Sequence, residues 1–414
     1  MKRRHLLLGG MALAGAGALA LRPAERGAMH GSYFQGLSAA LKRAGLMRPV
    51  LVVDKARLEA NIAAIRSRVD AARLPLRVVA KSLPSPELLG AVMAGMGSER
   101  LMEFSAEMLL QLLDLHPEAS YLLGKPLPAS EFARVIDRAG AEAATRIEWL
   151  VDTPQRLAAY GEVARARNFA WRANFEIDVG LHRGGFADPA ALADSVRRLA
   201  NHHASLSGLM GYDPHVPKMP SPDKTFAKAQ AAYKAMLDVV RASDHDPATL
   251  TLNSAGSPTF TRHCTGTVAN EVSVGSAFVK PGDFELDDLA ALQPAAFIAT
   301  PVIKASEDQA LPGIEALSGA LHWWDRNTQR GFFIHGGHWL AKPVSPSGLE
   351  YSKLFGRSSN QELLTGSKRI DLRPDDHVFL RPDQSEALFL QFGDLAVYQG
   401  GEIAAMWPSL PVSA

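Results

Sequence analysis

A single cysteine, Cys264, occurs in 414 residues, so no internal disulfide can form and packing alone must hold the core, whichever compartment the protein occupies. An excess of one charge is missing as well. The 44 basic and 43 acidic residues leave a net charge of +1, which provides no overall field to draw in nucleic acid or an anionic membrane. A small-molecule partner is expected instead, with no nucleic acid. The N-terminal apolar stretch, about 16 residues rich in Gly and Ala, falls short of the roughly 20 apolar residues a bilayer-spanning helix needs. Apolar residues are nonetheless plentiful, at 47% of the chain. They suffice for a large core in two or three domains, or in one barrel plus an addition.

The first 22 residues, MKRRHLLLGGMALAGAGALALR, have the layout of an export signal: a basic start, the apolar stretch, and a small-residue A-x-A site at Ala18 to Ala20. Arg3 and Arg4, followed by His5, Leu6 and Leu7, resemble a twin-arginine signal. Export after folding would suit a protein that acquires a cofactor in the cytoplasm, and it implies a periplasmic or secreted location with no stable membrane partner. Residues 23–49 form an N-terminal segment that could pack on a later domain.

From Val50 onward, strand-like and helix-like runs alternate. VLVVD precedes RLEANIAAIRSRV, LRVVAK precedes PELLGAVMAGM, and the series continues through RLMEFS, SYLLGK, IEWLVDT, WRANFEIDVG and SLSGLMGY to TLTLNSAGS. Eight strand candidates with intervening helices are the number that closes a parallel barrel, expected here over 50–267. An open doubly wound sheet is the alternative. After about Thr267, EVSVGSAFVKPGDFE, FIATPVIKAS, GFFIHGGHWL, HVFLRPDQSEALFLQF and DLAVYQGGEIAAMWP are short strand-like runs without comparable helices between them. These predict an all-β domain over 268–414. The fold class is therefore α/β: a TIM-like (β/α)8 barrel followed by a C-terminal β domain.

A barrel of this kind gathers its chemistry at the C-terminal ends of its strands. Lys81 follows the β-branched run Val78 to Ala80 and precedes Pro84 and Pro86, so it falls where a buried strand ends. Apolar surroundings there disfavour the ammonium and ease access to a neutral, nucleophilic amine, as a Schiff-base lysine requires. A solvated lysine at a strand end is the competing reading. DVGLHRGG, GYDPH and NSAGSPT end the sixth, seventh and eighth strand candidates. Pro86 and Pro154 open helices and report only on capping.

PLRVVAKS around Lys81, FEIDVGLHRGGF (Phe175 to Phe186), GLMGYDPH (Gly208 to His215), NSAGSPT (Asn253 to Thr259) and NEVSVGS (Asn270 to Ser276) occur in that order. With these motifs the chain, from Val50 to Trp407, resembles the fold-type III pyridoxal-phosphate enzymes. The nearest branch holds D-threonine aldolase and the metal-dependent D-serine dehydratases, and it shares its barrel with alanine racemase. The resemblance implies pyridoxal 5′-phosphate as cofactor, held by Lys81, which then acts as base at the substrate's α-carbon. It implies Arg183 toward the ring or its O3′ oxygen, Tyr212 lining the ring, and Ser254, Gly256 and Ser257 at the phosphate. His182, Asp213 and His215 are candidates around these, without assigned roles.

The chain departs from that branch near its end. Where the resemblance implies a divalent metal held by a His and a Cys or Asp, the sequence reads RPDQSEA, with Gln384 and Ser385 in place of the first ligands. Neither matches imidazole, thiolate or carboxylate as a ligand. No metal is therefore expected, although Asp383 and Glu386 leave room for a weak oxygen-rich site. Ala277 replaces an aromatic residue common in the branch.

The reading that follows is a lyase on a small D-amino acid, resembling D-threonine aldolase, that cleaves a D-β-hydroxy amino acid. Gln384, Ser385, Asp383 or His377 could serve the hydroxyl. An amino-acid racemase, an enzyme resembling D-serine dehydratase, or a non-catalytic protein that binds pyridoxal phosphate or an amino acid are the alternatives, and a homodimer is compatible with all of them.

Overall fold

The structure is a computed structural model and describes residues 22–243, 245–310, 313, 315–353 and 356–410. The export signal expected over 1–22 lies, except for Arg22, outside the described residues. Among them, no helix is long and apolar enough to cross a membrane. The chain forms two compact units. One comprises the chain up to Val52 with Phe297–Pro382 and Tyr398–Ala404; the other comprises Val53–Ala296, Asp383–Val397 and the residues from Ala405.

The first strand, β1 (Val50–Asp54), is followed by eight strands that close into a barrel: β2 (Leu76–Val79), β3 (Arg100–Glu103), β4 (Ser120–Leu123), β5 (Ile147–Val151), β6 (Trp171–Ile177), β7 (Ala204–Gly211), β8 (Thr251–Ser254) and β9 (Glu271–Val274). Neighbouring strands are parallel, and β2 closes on β9 with Leu76 opposite Val272. Helix entries follow local chemistry. Ser85 and Thr153 accept the backbone N–H of Leu88 and Arg156, each with a proline at the first helical position.

The barrel differs from the sequence expectation at both ends. Val50–Asp54 does not enter it, and Glu271–Val274, expected in the β domain, closes it. Both strands are buried at every residue, so hydrophobicity alone cannot assign either to a sheet. β1 also feeds directly into the helix Lys55–Ala71, with Asp54 accepting the Arg57 N–H, which gives it the look of a barrel strand. In β9 the polar Glu271 is accommodated because Arg77 approaches it at 2.6 Å, Arg100 at 2.8 Å and the Asn253 amide at 2.7 Å. Burial opposes its charge, yet these partners hold its carboxyl below the ordinary range.

The other strands are β10 (Ala296–Ser306), β11 (Arg330–His335), β12 (Ala341–Ser345), β13 (Glu350–Tyr351), β14 (Gln361–Gly366), β15 (His377–Pro382), β16 (Leu395–Gln399) and β17 (Glu402–Trp407). They form a nine-stranded sheet with β1, in the order β13-β14-β11-β10-β1-β16-β17, with β15 beside β10 and β12 beside β15. β10 pairs antiparallel with β11 and β15. A helix, Glu315–Trp324, interrupts the strands, so this part of the chain is not purely β. The N-terminal helix Ser32–Arg43 buries Leu37, Ala40 and Leu41. Phe34 packs against Phe297 and Phe379 at centroid distances of 5.2 and 4.9 Å.

Candidate active site

A cavity opens among residues at and beyond the C-terminal ends of the barrel strands. It is lined by Val79, Met102, Met210, Asn253 and Ser273, and by the residues beyond them. Lys81 lies in a short turn, Ala80–Ser82, directly after β2. Its Nζ is 4.0 Å from the centroid of the Phe104 ring and 3.7 Å from Glu386 Oε1. An amine poised between an aromatic face and a carboxylate has its head group oriented into the cavity.

Arg183 and Tyr212 line the same cavity. The guanidinium sits 5.0 Å from the Tyr212 ring centroid and 3.9 Å from Glu176. Burial pushes the Tyr212 phenol up to about 12, with Arg183 acting in the opposite direction, so the hydroxyl stays protonated at neutral pH. Burial likewise raises the Glu176 carboxyl, and Arg183 moderates that effect.

Beyond β8 the backbone turns through Ala255, which adopts a positive φ of 67°. At the next residue, a Cβ on Gly256 would come within 2.5 Å of Tyr212 Cε2. Only glycine leaves this wall open while keeping the tyrosine ring against it. Ser257 Oγ accepts the N–H groups of Gly275 and Ala277 at 3.2 and 2.9 Å, joining this turn to the one after β9. Asp213 braces it from behind, accepting the Thr259 hydroxyl at 2.6 Å and lying 3.0 Å from His263 Nε2. That buried network accounts for Asp213, for which the sequence suggested no role.

The family model for the alanine racemase N-terminal domain matches residues 53–281. The chain belongs to this family. Pyridoxal 5′-phosphate is the family's cofactor. By sequence, no curated protein matches. Among solved structures, D-threonine aldolase from Filomicrobium marinum is 18% identical, with a TM-score of 0.68 over 87% of this chain and 96% of that one. D-threo-3-hydroxyaspartate dehydratase from Delftia sp. HT23 is 16% identical, with a TM-score of 0.70 over 88% and 97%. Alanine racemase from Bacillus anthracis is 13% identical, with a TM-score of 0.66 over 87% and 98%. These likenesses establish a shared fold: the parallel barrel with its antiparallel sheet.

For this member of the alanine racemase N-terminal domain family, the cavity fits its cofactor's chemistry. It presents an amine at Lys81, a permanent cation at Arg183, and a turn kept open by Gly256 and crossed by the Ser257 hydroxyl. Several expected residues stand outside the lining. Ser254 Oγ donates to the Gly211 carbonyl at 2.9 Å and so ties two strand ends together. His182 is largely exposed, with its ring 2.7 Å from Asp178, which also accepts the Gly180 and His182 N–H groups. The Asp178 loop turns this ring outward. His215 lies behind that loop, its Nε2 3.4 Å from where a Gly180 Cβ would be, with a buried Nδ1.

The metal-type residues are engaged elsewhere too. Gln384 donates to Asp283 at 2.9 Å, and Ser385 lies buried against Ser276. His377, a candidate for the hydroxyl, belongs to the other compact unit, where its ring meets Ser38 Oγ and the Leu46 carbonyl. Among the described residues no three His, Cys, Asp or Glu side chains gather as a metal centre requires. Gln384 and Ser385 offer an amide and a hydroxyl where imidazole, thiolate or carboxylate is needed, so they do not fit the metal that the resemblance implies. What sequence reasoning placed differently is Glu386, considered there only as a weak metal ligand. Its signal, a carboxylate next to the departing motif, was present in RPDQSEA.

Proposed function

We propose that the protein is a pyridoxal-phosphate-dependent lyase on a small D-amino acid, cleaving a D-β-hydroxy amino acid to an aldehyde and glycine. The observation that carries this reading is the Lys81 amine, held 3.7 Å from the Glu386 carboxylate in a cavity that also presents Arg183. Lys81 would hold the cofactor, Gly256 and Ser257 would admit its phosphate, and Arg183 and Tyr212 would flank its ring. When bound, pyridoxal phosphate supplies an electron sink for a bond broken at the substrate's α-carbon.

The chain's own groups divide the remaining work. Lys81 moves a proton at Cα, being the only amine that lines the cavity among the described residues. The Phe104 ring, with its centroid 4.0 Å from that nitrogen, covers one side of it. Two of the named structural relatives, an aldolase and a dehydratase, act by their names on β-hydroxy amino acids, which supports the substrate class. A racemase would need a second base facing Lys81. We further propose export through the N-terminal segment, on its sequence alone.

The test is product analysis of the reconstituted protein with D- and L-threonine, serine and alanine. An aldehyde with glycine from the D-hydroxy substrates is the expected result. A keto acid with ammonia would mark a dehydratase, an inverted enantiomer a racemase, and no turnover a binding protein.

A further inference from the structure

Glu386 is the one carboxylate among the described residues that line the cavity, and a dedicated cluster of hydroxyls holds it. It accepts from Ser82 Oγ at 3.2 Å, Ser385 Oγ at 3.2 Å, and Ser276 Oγ at 3.4 Å to one oxygen and 3.5 Å to the other. All three serines are buried, at 2%, 0% and 3% exposure. Buried donors aimed at one carboxylate fix its direction. The carboxylate itself remains about one-third exposed, at 32%, and so does Lys81, at 33%. The pair thus opens toward the space a substrate would enter.

We propose that Glu386 is the acid–base group for the substrate's β-hydroxyl, a task for which Gln384 and Ser385 provide no metal ligands. The inference rests on the aldol-cleavage reading above. A substrate nitrogen that replaces the Lys81 nitrogen carries its β-oxygen three bonds away, roughly 3–4 Å. Glu386 lies at that range, 3.7 Å from the nitrogen it would replace. Glu386 takes the hydroxyl proton, and the O–H electron pair becomes the second bond of the aldehyde carbonyl. The Cα–Cβ bond breaks, its electron pair stays with Cα, and Lys81 delivers a proton there to complete glycine. The proton held by Glu386 then returns to the neighbouring Lys81 amine, which resets both groups with no net gain or loss of protons.

The test compares the holoenzyme with Glu386→Gln and Glu386→Asp. Aldehyde release from D-threonine should fall about 100-fold or more in the Gln variant and recover in part in the Asp variant. Exchange of the D-alanine Cα hydrogen with deuterated solvent has no hydroxyl to deprotonate and should fall far less than aldehyde release. A second readout needs no turnover. Removing the anion beside the Lys81 nitrogen should lower the pH midpoint of the visible cofactor band by about half a unit or more. Full aldehyde release in Glu386→Gln, or an unshifted midpoint, overturns the assignment. Loss of exchange together with aldehyde release would show that Glu386 serves Lys81 rather than the hydroxyl, and would also overturn it. Absence of aldehyde from the unaltered protein would instead overturn the reaction; an unshifted midpoint would then still overturn the Glu386–Lys81 coupling.

Discussion

The Lys81 amine and the Glu386 carboxylate, drawn from opposite ends of the chain, stand 3.7 Å apart. Lys81 comes from the turn after β2, and Glu386 from the segment Asp383–Val397, which joins the barrel's compact unit. An ion pair this exposed adds little stability, so its interest is chemical.

Lys81→Ala should abolish covalent cofactor attachment. The purified, reconstituted protein is expected to show a visible absorption band that borohydride removes, and the variant should show none. A colourless protein that cannot be reconstituted would end the pyridoxal-phosphate reading for this chain.

Arg183→Ala should weaken cofactor retention, roughly tenfold or more, and shift the visible band. It removes the cation 5.0 Å from the Tyr212 ring and leaves Glu176 without its partner. Arg183→Lys should restore charge without the planar fork and recover retention only in part. Dialysis followed by spectroscopy measures both, and identical spectra in all three proteins would place Arg183 outside the site.

Glu103 provides a pH dependence of stability. Burial raises its carboxyl from the usual 4.5 to about 7, despite the N–H groups of Phe104 and Ser105. Between those values the folded state binds more protons than the unfolded state, so stability falls as pH rises. The contribution is fully present below the unfolded value, and it is lost by about pH 7. The difference amounts to about 3 kcal/mol. Denaturant titrations from pH 4.5 to 8 should show this decline in the native protein and a flatter profile in Glu103→Gln. Parallel profiles would remove Glu103 as the cause.

Turnover on D-threonine and D-serine should survive exhaustive chelation, with manganese, zinc or magnesium adding nothing. A divalent ion at a hydroxyl oxygen is worth several kcal/mol, so a metal-dependent enzyme would lose almost all activity. If chelation abolishes turnover and one ion restores it, Asp383 and Glu386 become the first positions to mutate.

The sequence by itself determined the alternation of strands and helices, the position of Lys81 just past a buried strand, and the glycine turn at Gly256. Each depends on near neighbours: apolar runs, capping residues, and a residue small enough to leave a wall open. The barrel's composition was decided only by tertiary structure. β1 and β9 are both buried throughout, and whether such a strand joins one sheet or another depends on hydrogen-bonding partners far away in the chain. Glu271 illustrates the same limit. It reads as a surface carboxylate until Arg77 and Arg100 are brought to it. The histidines and Glu386 exchanged places for a similar reason. Asp178 turns His182 outward, whereas Ser82, Ser276 and Ser385 converge from three separate segments to hold Glu386 at the cavity. Side-chain direction at a loop is set by contacts between distant segments, which spacing along a chain does not encode.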